Sequence, residues 1–69
     1  MDMKEKREIV MPVGDLLEYK IRSGRMDNEI GQKIWQFALK NPEHVKEIMN
    51  ILDMELSDED TLAKVEGLA

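Results

Sequence analysis

A chain of 69 residues makes one domain, and at that length folding removes only about 60% of the surface the unfolded chain exposes, so the margin of stability is small. Hydrophobic residues at 42% beside 36% charged residues fit a folded globule rather than a disordered polymer, and the absence of cysteine excludes disulfides, thiolate metal sites and a cysteine nucleophile. The net charge of -5 is unevenly spread: Met1 to Arg25 holds six basic and five acidic residues, Met26 to Ala69 four basic and ten acidic.

Met1 to Glu8 mixes both signs and carries no capping signal, so it reads as a tail. Ile9-Val10-Met11 is a short β-prone run that Pro12 should hold extended. Residues 1–11 are therefore expected to form a charged tail and short extended segment, and residues 12–69 a single helical domain. The same run is far too short for the apolar core of a secretion signal, and no stretch approaches a membrane span. A cytoplasmic location away from membranes is the expectation.

From Pro12 a helix can run to about Arg22, with Val13, Leu16, Leu17 and Ile21 on one face and Lys20 intruding on it. Lys20 would carry its ammonium past the edge of the contact. Ser23-Gly24 should end this helix, glycine being suited to the left-handed turn beyond a helix.

Asp27 is placed to cap a second helix over Asn28 to Lys40, where Glu29 adds negative charge at the positive end. Its apolar arc of Ile30, Gly31, Ile34, Trp35, Phe37, Ala38 and Leu39 spans about 200°, wider than the stripe of about 100° that an outer helix needs. Contacts on two sides are implied. Pro42 forces a break at Asn41, which can cap the next helix. There Val45, Ile48, Met49, Leu52 and Leu56 form one stripe, with Ile51 beside it and Met54 on the far side. Ser57 then caps a last helix that begins Asp58-Glu59-Asp60, buries Leu62 and Val65, and stops at Gly67. The expected fold is all-α: three to four short helices packed as a small bundle around the central helical hairpin at Asn41-Pro42, and dimeric.

No convergent set of chemical groups marks an enzyme, a cofactor site or a metal site. His44 is the lone histidine and stands on a helix edge with no evident orienting partner. The acidic run from Asp53 to Asp60 resembles a calcium loop only at a glance. Such a loop needs glycine at its sixth position and glutamate at its twelfth, where this chain has Asp58 and Lys64. A DNA-binding helix-turn-helix built on the last two helices would meet phosphates with Asp58-Glu59-Asp60 first.

Binding to another macromolecule is the stronger reading. Met54, with Asp53, Glu55, Asp58, Glu59 and Asp60 around it, forms a candidate apolar patch with an acidic rim for a protein partner carrying a basic surface. Met26 is a further candidate for such a patch, since methionine adapts to irregular partners. A small non-enzymatic regulator or inhibitor is implied, one form of it a mimic of nucleic-acid charge. Gly31, Ile34, Trp35 and Ala38 form a second candidate surface. Glycine inside a helix costs about 1 kcal/mol, so close approach is wanted there, either by another chain in a homodimer or by the helix from Val45. The alternative function is a dimeric DNA-binding regulator using Lys20, Arg22 and Arg25.

Overall fold

The computed structural model describes residues 3–69, which form an all-α bundle. Its elements are α1 (Met3–Arg22), α2 (Asn28–Lys40), a 3-10 turn (Pro42–His44), α3 (Val45–Asp53) and α4 (Asp58–Glu66). α1 packs against α2 and α3, and α4 packs against the same two. The helices thus form a ring in which α2 and α3, although joined at Asn41-Pro42, occupy opposite corners. The core is drawn from all four: Val10, Val13 and Leu17 from α1, Ile34 and Ala38 from α2, Ile48, Ile51 and Leu52 from α3, and Val65 from α4. Side chains enclosed as fully as Ile34, Ile48 and Leu52 each contribute about 2 kcal/mol relative to exposure.

The first helix departs from the expectation for residues 3–11, while residues 1 and 2 of the expected tail lie outside the described residues. Instead of a tail and an extended Ile9-Val10-Met11, the chain is helical from Met3, and Pro12 lies inside α1. A proline there costs about 3 kcal/mol, because it supplies no amide hydrogen to the carbonyl four residues back and crowds it. Two features offset that cost. Val10, Val13 and Leu17, spaced three and four apart, make one buried stripe that crosses the proline, so an extended Val10 would forfeit its burial. Pro12 and Glu8, whose carbonyl loses its partner, both lie on the exposed side of the helix, where water can take the missing place.

Signals at the helix ends act largely as their chemistry dictates. Gly24 adopts φ 77°, and the turn that follows α1 has both bonds of a Schellman motif: the Gly24 amide donates to the Ile21 carbonyl at 3.1 Å and the Arg25 amide to the Lys20 carbonyl at 2.8 Å. The Asp27 carboxylate accepts from the Glu29 and Ile30 amides. Ser57 accepts from the Asp60 amide at 3.2 Å. Asn41 differs: it closes α2 rather than opening the next helix, its side-chain amide donating back to the Phe37 carbonyl at 3.1 Å. Pro42 then begins the 3-10 turn, not α3 itself.

The middle of the wide apolar arc of α2 is covered by its own chain, and Trp35 at its edge stays partly exposed. α1 lies on one side and α4 on the other, leaving Ile34 and Ala38 with no exposed surface. Close approach occurs at two glycines. A β-carbon on Gly14 of α1 would lie 2.8 Å from the Trp35 indole, and one on Gly31 of α2 would lie 2.5 Å from Cδ1 of Ile21. Each helix offers a notch to a large residue of the other. The neighbour of Gly31 is thus α1, not the helix from Val45. A radius of gyration of 11.1 Å equals the about 11 Å expected for a compact chain of this length.

The two notches differ in tolerance. Trp35 presents a rigid ring, whereas Ile21 presents the end of a flexible, half-buried side chain. Replacing glycine by alanine in a helix gains about 1 kcal/mol of propensity, and overpacking costs about 1–3 kcal/mol. Gly31→Ala should therefore leave chemical-denaturation stability nearly unchanged, while Gly14→Ala should be the less stable of the two by about 1 kcal/mol. Equal stability of the two variants would contradict the rigid seat for Trp35.

Candidate functional site

The end of α1 and the turn between α3 and α4 meet across two adjoining hollows, together called the cleft. One part, of about 190 Å³, is lined by Leu16, Tyr19, Lys20, Arg25, Leu52, Asp53 and Glu55. The adjoining part, of about 400 Å³, shares Lys20, Arg25, Leu52 and Glu55 and continues to Met26, Leu56, Asp58 and Thr61. Tyr19, 57% exposed, lines this cleft, and Met54, 54% exposed, lies between the cleft residues Asp53 and Glu55 in the chain without lining it.

Local geometry explains why these groups converge. The Schellman turn reverses the chain after Arg22 and brings Arg25 back over the Tyr19 ring, 5.7 Å from its centroid, in cation–π range. Met26, expected as an exposed contact, is instead 7% exposed and belongs to the core. It anchors the link, its amide donating to the Lys20 carbonyl at 3.2 Å. On the opposite wall Glu55 takes φ 55°, a left-handed conformation costing roughly 1–2 kcal/mol for a residue with a β-carbon. That single residue turns the chain from α3 into α4 and leaves Met54 outside.

The acidic residues are not equivalent. Asp53 and Glu55 line the cleft. Asp58 has a structural bond as well, its carboxylate accepting from the backbone amide of Asp27 at 3.0 Å. It therefore ties the first turn of α4 to the cap of α2. Glu59 and Asp60 are exposed on the same turn and do not line the cleft. Nor is the rim purely acidic, because Lys20 and Arg25 share the cleft with Asp53, Glu55 and Asp58.

Of the basic residues considered for nucleic acid, Lys20 and Arg25 stand here, and Arg22 does not. Arg22 pairs with Glu18 of its own helix at 2.8 Å, and with Gly31 and Trp35 it lines a separate groove of about 520 Å³ between α1 and α2. Ile34 and Ala38 lie beneath that groove in the core, so of the second candidate surface only Gly31 and Trp35 reach it.

His44 stacks on Phe37 with ring centroids 6.5 Å apart. Its nitrogens lie 3.9 Å from carboxylate oxygens of Glu43 and Glu47, beyond hydrogen-bonding reach. Among the described residues no group of three or more acidic, histidine or cysteine side chains is placed to hold a metal ion. No described helix is long and apolar enough to cross a membrane. Tyr19 and Thr61 are the cleft residues that sequence reasoning passed over, and Leu16 was expected only on the packed face of α1. The available signal was an aromatic ring on the polar side of α1, between Glu18 and Lys20.

The Asp58 tie gives a direct expectation. Asp58→Ala removes a charged acceptor from an amide at a partly exposed site and should cost about 1 kcal/mol. For a domain of this size that is a fall of about 5 °C in melting temperature. Asp58→Asn, which keeps an acceptor oxygen, should lose less, and an unchanged midpoint for the alanine variant would show that the bond carries no stability. Comparison of the chain with protein-family models, curated proteins and solved structures gives no match.

Proposed function

We propose that this chain is a small non-enzymatic binding protein, a regulator or inhibitor that engages a protein partner across the cleft between the end of α1 and the α3–α4 turn. The observation that carries this reading is a cleft lined by charges of both signs with the half-exposed Tyr19 in its wall, and a second half-exposed apolar side chain, Met54, between the cleft residues Asp53 and Glu55 in the chain. Tyrosine and methionine are enriched where proteins touch, since both combine apolar area with adaptable geometry. Asp53 and Glu55 inside the cleft supply directional partners for basic groups. Glu59 and Asp60, outside it, extend the acidic field that draws a basic surface in.

The charge-mimic form of this idea draws little support. A surface that imitates a phosphate backbone needs an unbroken row of negative charge, and Lys20 and Arg25 interrupt it. The nucleic-acid alternative is weakened by the same neighbours: Arg22 is paired with Glu18, Arg25 lies over Tyr19, and Lys20 shares its cleft with acids.

Immobilised protein can be compared with a Tyr19→Ala, Met54→Ala double variant for retention of lysate proteins at low and high salt. Partners held by the parent at low salt should be lost or bound at least about tenfold more weakly by the double variant, as for central interface residues. High salt should weaken retention through the rim. Retention unaffected by the double substitution would contradict the assignment of the cleft.

A further inference from the structure

The outward face of α1 carries a pattern that neither the core nor the cleft uses. Lys4, Arg7, Met11, Asp15 and Glu18 are all exposed, and winding at about 100° per residue gathers them within about 80° of arc. Their spacings of three, four, four and three read the same in both directions about Met11. The charges reverse across that point: two cations precede it and two anions follow, before Arg22, on the same arc, ends the helix paired with Glu18. Met11 itself is 49% exposed and stands on the lip of the groove between α1 and α2, beside Asp15, Glu18 and Trp35.

We propose that this face is a self-association surface, on which α1 pairs antiparallel with α1 of a second copy about a two-fold axis at Met11. A two-fold contact sets each residue against a different residue of the other copy, and the reverse contact follows by symmetry. With the axis at Met11, Lys4 meets the partner's Glu18, Arg7 meets the partner's Asp15, and the two Met11 side chains meet each other. All four charge contacts are attractive. A parallel pairing in register would place like charges together, which fixes the direction. Glu18 already holds Arg22 at 2.8 Å yet remains more than half exposed, leaving it open to a second cation. The groove beside the stripe gives the second helix an apolar strip to lie against. Gly31 and Trp35 of the dimer surface inferred from sequence line that strip, while Ile34 and Ala38 stay in the core. This surface does not depend on the cleft proposed above.

Exposed ion pairs are individually weak and screened by salt, so the dimer should form at low salt and dissociate as salt rises. Sedimentation equilibrium on the full chain tests it. The parent should approach twice the monomer mass at low salt. Glu18→Lys, which sets lysine against Lys4 at both ends of the contact, should weaken association at least about tenfold. The double variant Lys4→Glu, Glu18→Lys inverts two charges and keeps the pattern complementary, so it should recover association to within about threefold of the parent. Circular dichroism establishes that each variant is folded. In this cysteine-free chain, Met11→Cys should cross-link to itself through a short bismaleimide far faster than Gln36→Cys on the exposed side of α2. A parent that stays monomeric at low salt, a folded double variant that fails to recover, or equal cross-linking from both positions would overturn the proposal.

Discussion

The crossing of α1 and α2 depends on two missing side chains. Gly14 receives the Trp35 ring and Gly31 receives the end of Ile21, so that each helix comes close enough to bury the other's apolar face. The exchange is reciprocal and antiparallel: α1 runs from Gly14 to Ile21 while α2 runs back from Trp35 to Gly31. A chain this short has few residues to spare for a core, and the crossing lets Val10, Val13 and Leu17 share one interior with Ile34 and Ala38. It also fixes where α1 ends. From that end the Schellman turn sends Met26 into the core and Arg25 over Tyr19. The cleft is thus a consequence of how the first two helices meet.

Short polar contacts complete what the crossing begins. Asp27 caps α2 with its side chain while its own amide is held by Asp58 of α4. One residue therefore couples two helix starts. Thr61, buried in α4, donates its hydroxyl to the Ser57 carbonyl at 2.8 Å, so its polar atom enters the interior already satisfied. The strained Glu55 lies where α3 must reverse within a few residues to reach Ser57. Backbone strain at such a point persists when the packing on both sides determines the path, and here it leaves Met54 in solvent.

Much of this was legible in the sequence because helix signals are local. Asp27, Ser57, Ser23-Gly24 and the apolar spacing of α2 and α3 announce themselves within a turn or two. Pro12 misled for the same reason. A proline disfavours helix in the residue before it, and Ile9-Val10-Met11 is β-prone, so local preference pointed to extended chain. Only the longer spacing of Val10, Val13 and Leu17, read across the proline, reveals the buried stripe. Gly31 advertised a close approach, and the argument that a helical glycine needs a reason applies equally to Gly14. The identity of its neighbour was not legible, because it depends on α1 being long enough to reach. The cleft combines residues from 16 to 26 with residues from 52 to 61, and no local pattern links them. Parts of two sets read separately, Asp53, Glu55 and Asp58 for a protein and Lys20 and Arg25 for nucleic acid, turn out to share one surface.

That α1 is one continuous helix through Pro12, seated on α2 at Gly14, is the claim on which the bundle, the cleft and the outward stripe all rest. Amide hydrogen exchange under native conditions tests it residue by residue. The amides of Val10, Val13 and Gly14 should be protected to within about tenfold of those of Ile34 and Ile48, since all five report the same cooperative unit. Exchange of Val10, Val13 and Gly14 at unfolded-chain rates, with Ile34 still protected, would contradict it.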